Sequence, residues 1–213
     1  GKTFVLNMIL KVREALGYVY GRLPKLKIMP VAPTGKATKV MQKSIHLDCK
    51  TIHRALCYVP EHGFTKTKYN PFEENFFVID ETSMLDVEIA EALMDAVPRN
   101  AKIIFMGDTK QLASVGPGNV LKDIIDSEMF INVTLNVVKR QGLQSGIVKN
   151  ANRIIGREMI ESEPELGDFY VINASDEDKI KNTVVESVRR LLEKKYEFDD
   201  IQVLSLQFKR LAY

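Results

Sequence analysis

Four short stretches hold residue types that handle phosphate. Val78-Ile79-Asp80-Glu81 ends an apolar run with two adjacent carboxylates. At the carboxyl end of a buried strand, where open α/β sheets bind ligands, one carboxylate can hold Mg²⁺ directly or through water. Its neighbour can then orient or deprotonate an attacking water. A helix-capping pair would use the same two residues. Gly1-Lys2-Thr3 stands before an apolar-periodic stretch and matches the last three positions of the phosphate-loop pattern G-x-x-x-x-G-K-[ST]. There Lys2 would reach the β/γ-phosphates, Thr3 would ligate Mg²⁺, and the helix N-terminus would offer N–H groups to phosphate. Gly107-Asp108-Thr109-Lys110-Gln111 follows another apolar run. A Gln there can hydrogen-bond a γ-phosphate or its attacking water, although Gly-Asp by itself is also a turn signal. Arg140-Gln141 is the fourth stretch. An Arg carried across a cleft to a triphosphate accelerates transfer by about 10³–10⁵, whereas a lone Arg after a strand is more often a surface residue.

These residues need elements to position them. Apolar residues at Val5, Met8, Ile9, Val12 and Leu16 give Thr3 to Leu16 helical spacing, with Gly17 as the expected stop. Apolar runs predict strands over 27–31, 75–79, 101–106, 131–135, 169–172 and 201–205. Helices are predicted over 37–45, 51–57, 86–97 with Asp86 as cap, 117–125 with Pro117 in its first turn, 145–155 and 177–195. The stretch 58–74 lacks a period and reads as loop or hairpin. Strands alternate with helices, and several strands are continuously apolar, as in parallel sheets covered on both faces.

Composition excludes several classes. With 213 residues, 45% hydrophobic and 27% charged, the chain can bury a sizeable core and is neither disordered nor a disulfide-stapled mini-protein. No apolar run approaches the roughly 18 residues that span a bilayer. Cys49 and Cys57 read as reduced thiols, which points to the cytoplasm. The net charge of +2 hides an uneven distribution: from Arg22 to Arg54 eight Lys and Arg residues face Asp48 alone, while acidic residues dominate from Arg157 to Asp200. A polyanion would sit on the basic segment; a solvated helix face would look the same.

In order along the chain stand Ala32-Pro33-Thr34-Gly35-Lys36-Ala37, Thr51-Ile52-His53-Arg54, Val78 to Asp86, Gly107 to Leu121, Arg140-Gln141 and Ser145-Gly146-Ile147. This series resembles the helicase motifs of RecD-like proteins, the family of the α subunit of exodeoxyribonuclease V, in superfamily 1. The resemblance runs from Gly1 to about Ser205 and is most specific over Gly107–Leu121. It implies a RecA-like P-loop NTPase fold, an α/β parallel sheet with helices on both faces, followed by the start of a second RecA-like lobe. It implies ATP and Mg²⁺ as cofactors, single-stranded DNA as partner, movement 5′ to 3′, and a place beside other exodeoxyribonuclease V subunits for some members. Family roles then fall on Gly1, Lys2 and Thr3 for the phosphates, Thr3 and Asp80 for Mg²⁺, and Glu81, Gln111 and Arg140 for hydrolysis. Thr34, Gly35, Lys36, Thr51 and His53 fall in motifs that touch the DNA strand. His53 equally suits a packing role, and Phe64, Tyr69 and Phe72 suit base stacking or loop packing.

Ala113 stands where the family has Pro, and Thr82 stands for a more usual Ala, a change read as harmless. The tail after Ser205 fits poorly. A start without Met, directly on Gly1-Lys2-Thr3, suggests a window on a longer motor: lobe one over 1–130, lacking its first strand and the start of its phosphate loop, then part of lobe two over 131–213. The stretch alone is then expected to hydrolyse ATP weakly or not at all. The alternative is a non-catalytic piece that binds nucleotide or single-stranded DNA only. An unrelated P-loop kinase or GTPase leaves the Thr34-Gly35-Lys36 and Gln111-to-Gly118 motifs without a purpose.

Overall fold

The computed structural model describes residues 1–20, 26–135, 145–162 and 164–205. The chain divides into two compact units, Gly1–Gly142 and Leu143–Tyr213. In the first, α1 (Lys2–Tyr20), β1 (Ile28–Ala32), α2 (Gly35–Ile45), β2 (Lys50–Thr51) and α3 (Ile52–Ala55) are followed by a hairpin of β3 (Tyr58–Val59) and β4 (Gly63–Phe64). Then come β5 (Phe76–Ile79), a 3₁₀ turn (Thr82–Met84), α4 (Val87–Ala96), β6 (Lys102–Phe105) and α5 (Val120–Asp126). Strands β2, β1, β5 and β6 form one parallel sheet in that order.

Both faces of the sheet are covered, which is why β5 is apolar at every position. Phe77 and Ile79 point into a buried cluster with Ile52, Leu56, Leu85 and Leu93 from the α3 and α4 side. Phe76 and Val78 point the other way, into a cluster with Leu6, Met41 and Ile45 from α1 and α2. Alternation along a strand sends successive side chains to opposite faces, so a strand buried on both needs no polar residue.

Several sequence expectations shift. Helix α1 passes through Gly17 and runs to Tyr20; one glycine costs a helix only about 1 kcal/mol and need not end it. Helix α5 begins at Val120 with Asn119 at its cap, so Pro117 lies before the helix. Its carbonyl accepts instead from the Val87 amide at 3.0 Å. Asp86 caps α4 as expected, accepting from the Ile89 amide at 2.8 Å.

The second unit carries no strand among its described residues. It carries α6 (Gly146–Ile155) and α7 (Glu177–Glu193). The strands expected over 169–172 and 201–205, and over 131–135 near the end of the first unit, do not form, and Phe169 makes only an isolated bridge. An apolar run becomes a strand only when a neighbour takes up its backbone groups. Polar links tie this unit together instead. Asn150 is 1% exposed; its amide nitrogen donates to the carbonyls of Gly146 and Glu161 at 3.0 and 2.8 Å, and its oxygen accepts from the Glu161 amide at 2.8 Å. Asp168 accepts from Ser145 Oγ at 2.6 Å and from the Gly146 amide at 2.9 Å, covering the start of α6.

Candidate active site at the carboxyl edge of the sheet

The register brings the carboxyl ends of all four strands to one level: Ala32 pairs with Thr51, Val31 with Ile79, and Ile79 with Phe105. Most of the motif residues therefore leave the same edge. Thr34 and Thr51 stand on the β1–β2 side, Asp80, Glu81 and Gln111 on the β5–β6 side.

On the β5–β6 side, Asp80 follows β5 and its amide donates to the Val31 carbonyl at 3.0 Å. Its carboxylate accepts from the Glu81 amide at 2.9 Å. Glu81 adopts the left-handed conformation, φ 50°, which a residue with a side chain holds only when its surroundings enforce it. Glu81 Oε2 is buried and has no hydrogen-bonding partner. Lys2 Nζ and Ser83 Oγ share that condition. Lys2 opens α1, and one turn on, Leu6 is packed in the buried cluster with Val78 and Met106. This anchors α1 beside the strands that lead to Asp80 and Gly107. Gly1 precedes the helix, and its carbonyl accepts from the Val5 amide at 3.1 Å. Thr3 is half-buried in the first turn.

The stretch from Gly107 to Gly118 is an arch that stands on the Thr82–Val87 segment. At Gly107 a Cβ would lie 3.3 Å from the Thr82 amide nitrogen, 3.2 Å from that of Ser83, and 2.5 Å from Leu121. At Gly116 it would meet Asp86 at 2.5 Å, and at Gly118, whose φ is +91°, it would meet Val87 at 2.2 Å. Ser114 Oγ donates to the carbonyls of Gly116 and Gly118 at 3.0 and 3.2 Å, which closes the far foot. Between the feet, Asp108 accepts from the Lys110 amide at 3.0 Å, and Gln111 is exposed at the crest. Ala113, in place of the family's Pro, lies between Gln111 and the closed foot.

Thr82, noted from the sequence only as a harmless departure, proves to be tied to both strands at this edge. Thr82 is completely buried. Its hydroxyl lies 3.0 Å from the Ile79 carbonyl and 2.9 Å from the Met106 carbonyl, and its amide donates to Met106 at 2.9 Å. A methyl in its place could make none of the hydroxyl contacts.

On the β1–β2 side the polar groups are satisfied. Thr34 caps α2, accepting from the Ala37 amide at 3.2 Å. Thr51 caps α3, accepting from the Arg54 amide at 3.4 Å. Gly35 and Lys36 are exposed in the first turn of α2, with Lys39 and Lys43 further along it. His53 is exposed on α3, its ring 6.0 Å from Tyr58 and 5.8 Å from Phe64, so the motif and the β3–β4 hairpin form one aromatic group. Tyr58 was missed in the sequence because its partner is reached only through the hairpin. Phe72 is buried against Phe77, a core residue and no stacking surface, whereas Tyr69 is exposed. Arg140 and Gln141 lie outside the described residues, as do Arg22, Lys25 and the tail 206–213.

Residues 1–162 match the family described as an AAA domain. Relatives bear out the resemblance to RecD-like helicases. The RecBCD enzyme subunit RecD of Mycobacterium tuberculosis is 32% identical over 142 residues, 59% of this chain and 24% of that protein. The ATP-dependent RecD2 DNA helicase of Deinococcus radiodurans is 29% identical over 155 residues, 73% of this chain and 20% of that protein. The chain thus spans about a fifth to a quarter of the length of these curated relatives. Among solved structures, a Bacteroides Pif1 helicase in complex with ADP-AlF3 and ssDNA aligns over 90% of this chain and 56% of its own, at 16% identity and a TM-score of 0.42.

Proposed function

This chain belongs to the AAA domain family, and from that premise we propose that it is the nucleotide-hydrolysing core of a RecD-like, ATP-dependent DNA helicase. The observation that carries this reading is that two motif atoms, Lys2 Nζ and Glu81 Oε2, are each buried without a hydrogen-bonding partner. A buried ammonium without a counter-charge costs several kcal/mol, and a buried carboxylate oxygen without a donor is similarly disfavoured. A triphosphate with its cation and water answers both. The residues fit that group: Gly1, Lys2 and Thr3 for the phosphates, Thr3 and Asp80 for Mg²⁺. Mg²⁺ commonly shares its shell with phosphate and water and needs only one or two protein carboxylates. Bound ATP would supply the phosphoanhydride bond whose cleavage drives movement. Glu81 would orient or deprotonate the water, and Gln111 would report the γ-phosphate. Arg140 keeps the role of cleft-crossing arginine that the resemblance implies.

Single-stranded DNA would lie along the β1–β2 side, over Thr34, Gly35, Lys36, Thr51 and His53, with the exposed lysines of α2 neutralising phosphates. The polarity proposed is 5′ to 3′, and the RecD relatives support assembly with other exodeoxyribonuclease V subunits for the whole protein. No described helix is long and apolar enough to cross a membrane. A DNA substrate and two free thiols fit a cytoplasmic setting.

The test is ATP hydrolysis by the full protein, with and without single-stranded DNA. Stimulation by DNA and its loss in Lys2→Ala are expected; activity indifferent to DNA, or intact in Lys2→Ala, refutes the reading. Strand displacement on 5′- and 3′-tailed duplexes decides polarity, and displacement only from the 3′-tailed substrate reverses it.

A further inference from the structure

We propose that the Thr82 hydroxyl is a positioning residue for hydrolysis, a clip that holds Glu81 and the Gln111 arch in one register. The proposal rests on the ATPase reading above. Glu81 sits in a backbone conformation that disfavours side chains, φ 50°, so something beside it must fix the turn. Thr82 is the next residue, and it is tied to both strands that matter. Its hydroxyl reaches the last carbonyl of β5, Ile79, and the carbonyl of Met106, the residue that leads out of β6 into Gly107. Its amide donates to Met106 as well, at 2.9 Å, beside the final ladder bond from the Met106 amide to Ile79 at 2.8 Å. Three donors thus converge where the two strands end, inside a completely buried residue environment.

The same segment carries the arch. Gly107 lies so close over the backbone of Thr82 and Ser83 that a Cβ would stand 3.2–3.3 Å from their nitrogens. The Val87 amide donates to Pro117 at 3.0 Å at the other foot. A displacement of Thr82 therefore moves the carboxylate that handles water and the base of the loop that presents Gln111. A shift of about 1 Å in a reacting group can cost up to 10²-fold in rate.

The experiment compares Thr82→Ser, which keeps the hydroxyl, with Thr82→Val, which keeps the shape and removes it, in the full protein. Thr82→Ser is expected to hold kcat near the wild type. Thr82→Val is expected to lower kcat about tenfold while KM for ATP stays within about twofold. Amide hydrogen exchange should quicken in 81–86 and 107–118 together in Thr82→Val and in neither for Thr82→Ser. If Thr82→Val does not fold, Thr82→Ala takes its place with the same expectations. A kcat equal in the Ser and Val variants, a KM that rises as far as kcat falls, or exchange that quickens in one segment alone overturns the clip. Wild-type protein without ATPase activity refutes the ATPase reading instead, and the exchange comparison still decides whether Thr82 couples the two segments.

Discussion

The two halves of the sheet's carboxyl edge use the same device and finish it differently. Each strand ends in a turn that sets up a helical segment. On the β1–β2 side, Thr34 and Thr51 give their oxygens to the amides of Ala37 and Arg54, and Gly35, Lys36 and His53 are exposed. On the β5–β6 side, Lys2, Glu81 and Ser83 keep buried polar atoms with no partner, and Glu81 keeps a disfavoured backbone. A satisfied, exposed edge suits a long polyanion gripped through many weak phosphate contacts. An unsatisfied, half-buried edge suits a compact ligand that completes it. The contrast accords with the proposal that one half does the chemistry and the other grips the strand.

The strongest challenge is Glu81→Gln. It keeps size and removes the carboxylate proposed to handle the water, so kcat should fall about 10²–10⁴-fold while the protein still binds nucleotide, measured by fluorescent ADP titration. Retained turnover would move the chemistry away from this half. Next comes Gly118→Ala, which places a Cβ 2.2 Å from Val87 at φ +91°. A loss of about 1–3 kcal/mol in urea unfolding is expected; an unchanged midpoint would mean that the arch is not clamped. On the gripping half, Lys39→Ala should lower the slope of log K against log salt for single-stranded DNA by about 0.7. A slope equal to that of the wild type would remove α2 from the DNA path.

The smallest effect probes the boundary between the halves. Burial pushes the Cys49 thiol up from 9.0 to about 11, and the charges of Asp48 and Asp80 add to the shift. The folded state therefore holds this proton more tightly than the unfolded one. The resulting stability is complete below about 9 and is lost as pH rises through about 11. Asp80→Asn removes one of those charges and should bring the thiol down, read as faster labelling of Cys49 at pH 9–10 with exposed Cys57 as the internal standard. Labelling unaffected by Asp80→Asn would show that the carboxylate is not felt across the edge.

Much of the first unit was legible because its strands are buried on both faces, and continuous runs such as Phe76–Ile79 announce that. The Asp86 cap was equally local. The absence of strands over 131–135, 169–172 and 201–205 was not legible, since an apolar run does not reveal whether a neighbour will pair with it. In the site, residue types and order marked Asp80, Glu81 and Gln111. They could not mark Thr82, whose worth lies in carbonyls 3 and 24 residues away, nor Gly116 and Gly118, whose need for a missing Cβ arises from Asp86 and Val87.

The left-handed turn at Glu81 has a further consequence, for the balance between durability and activity. A glycine at this position would relax the backbone and leave no carboxylate to bury. Glu81→Gly is therefore expected to melt at a higher temperature than the wild type while being inactive, the pattern of a position kept for what it does against what would make the molecule last. Selection for thermal robustness alone would erode this position first.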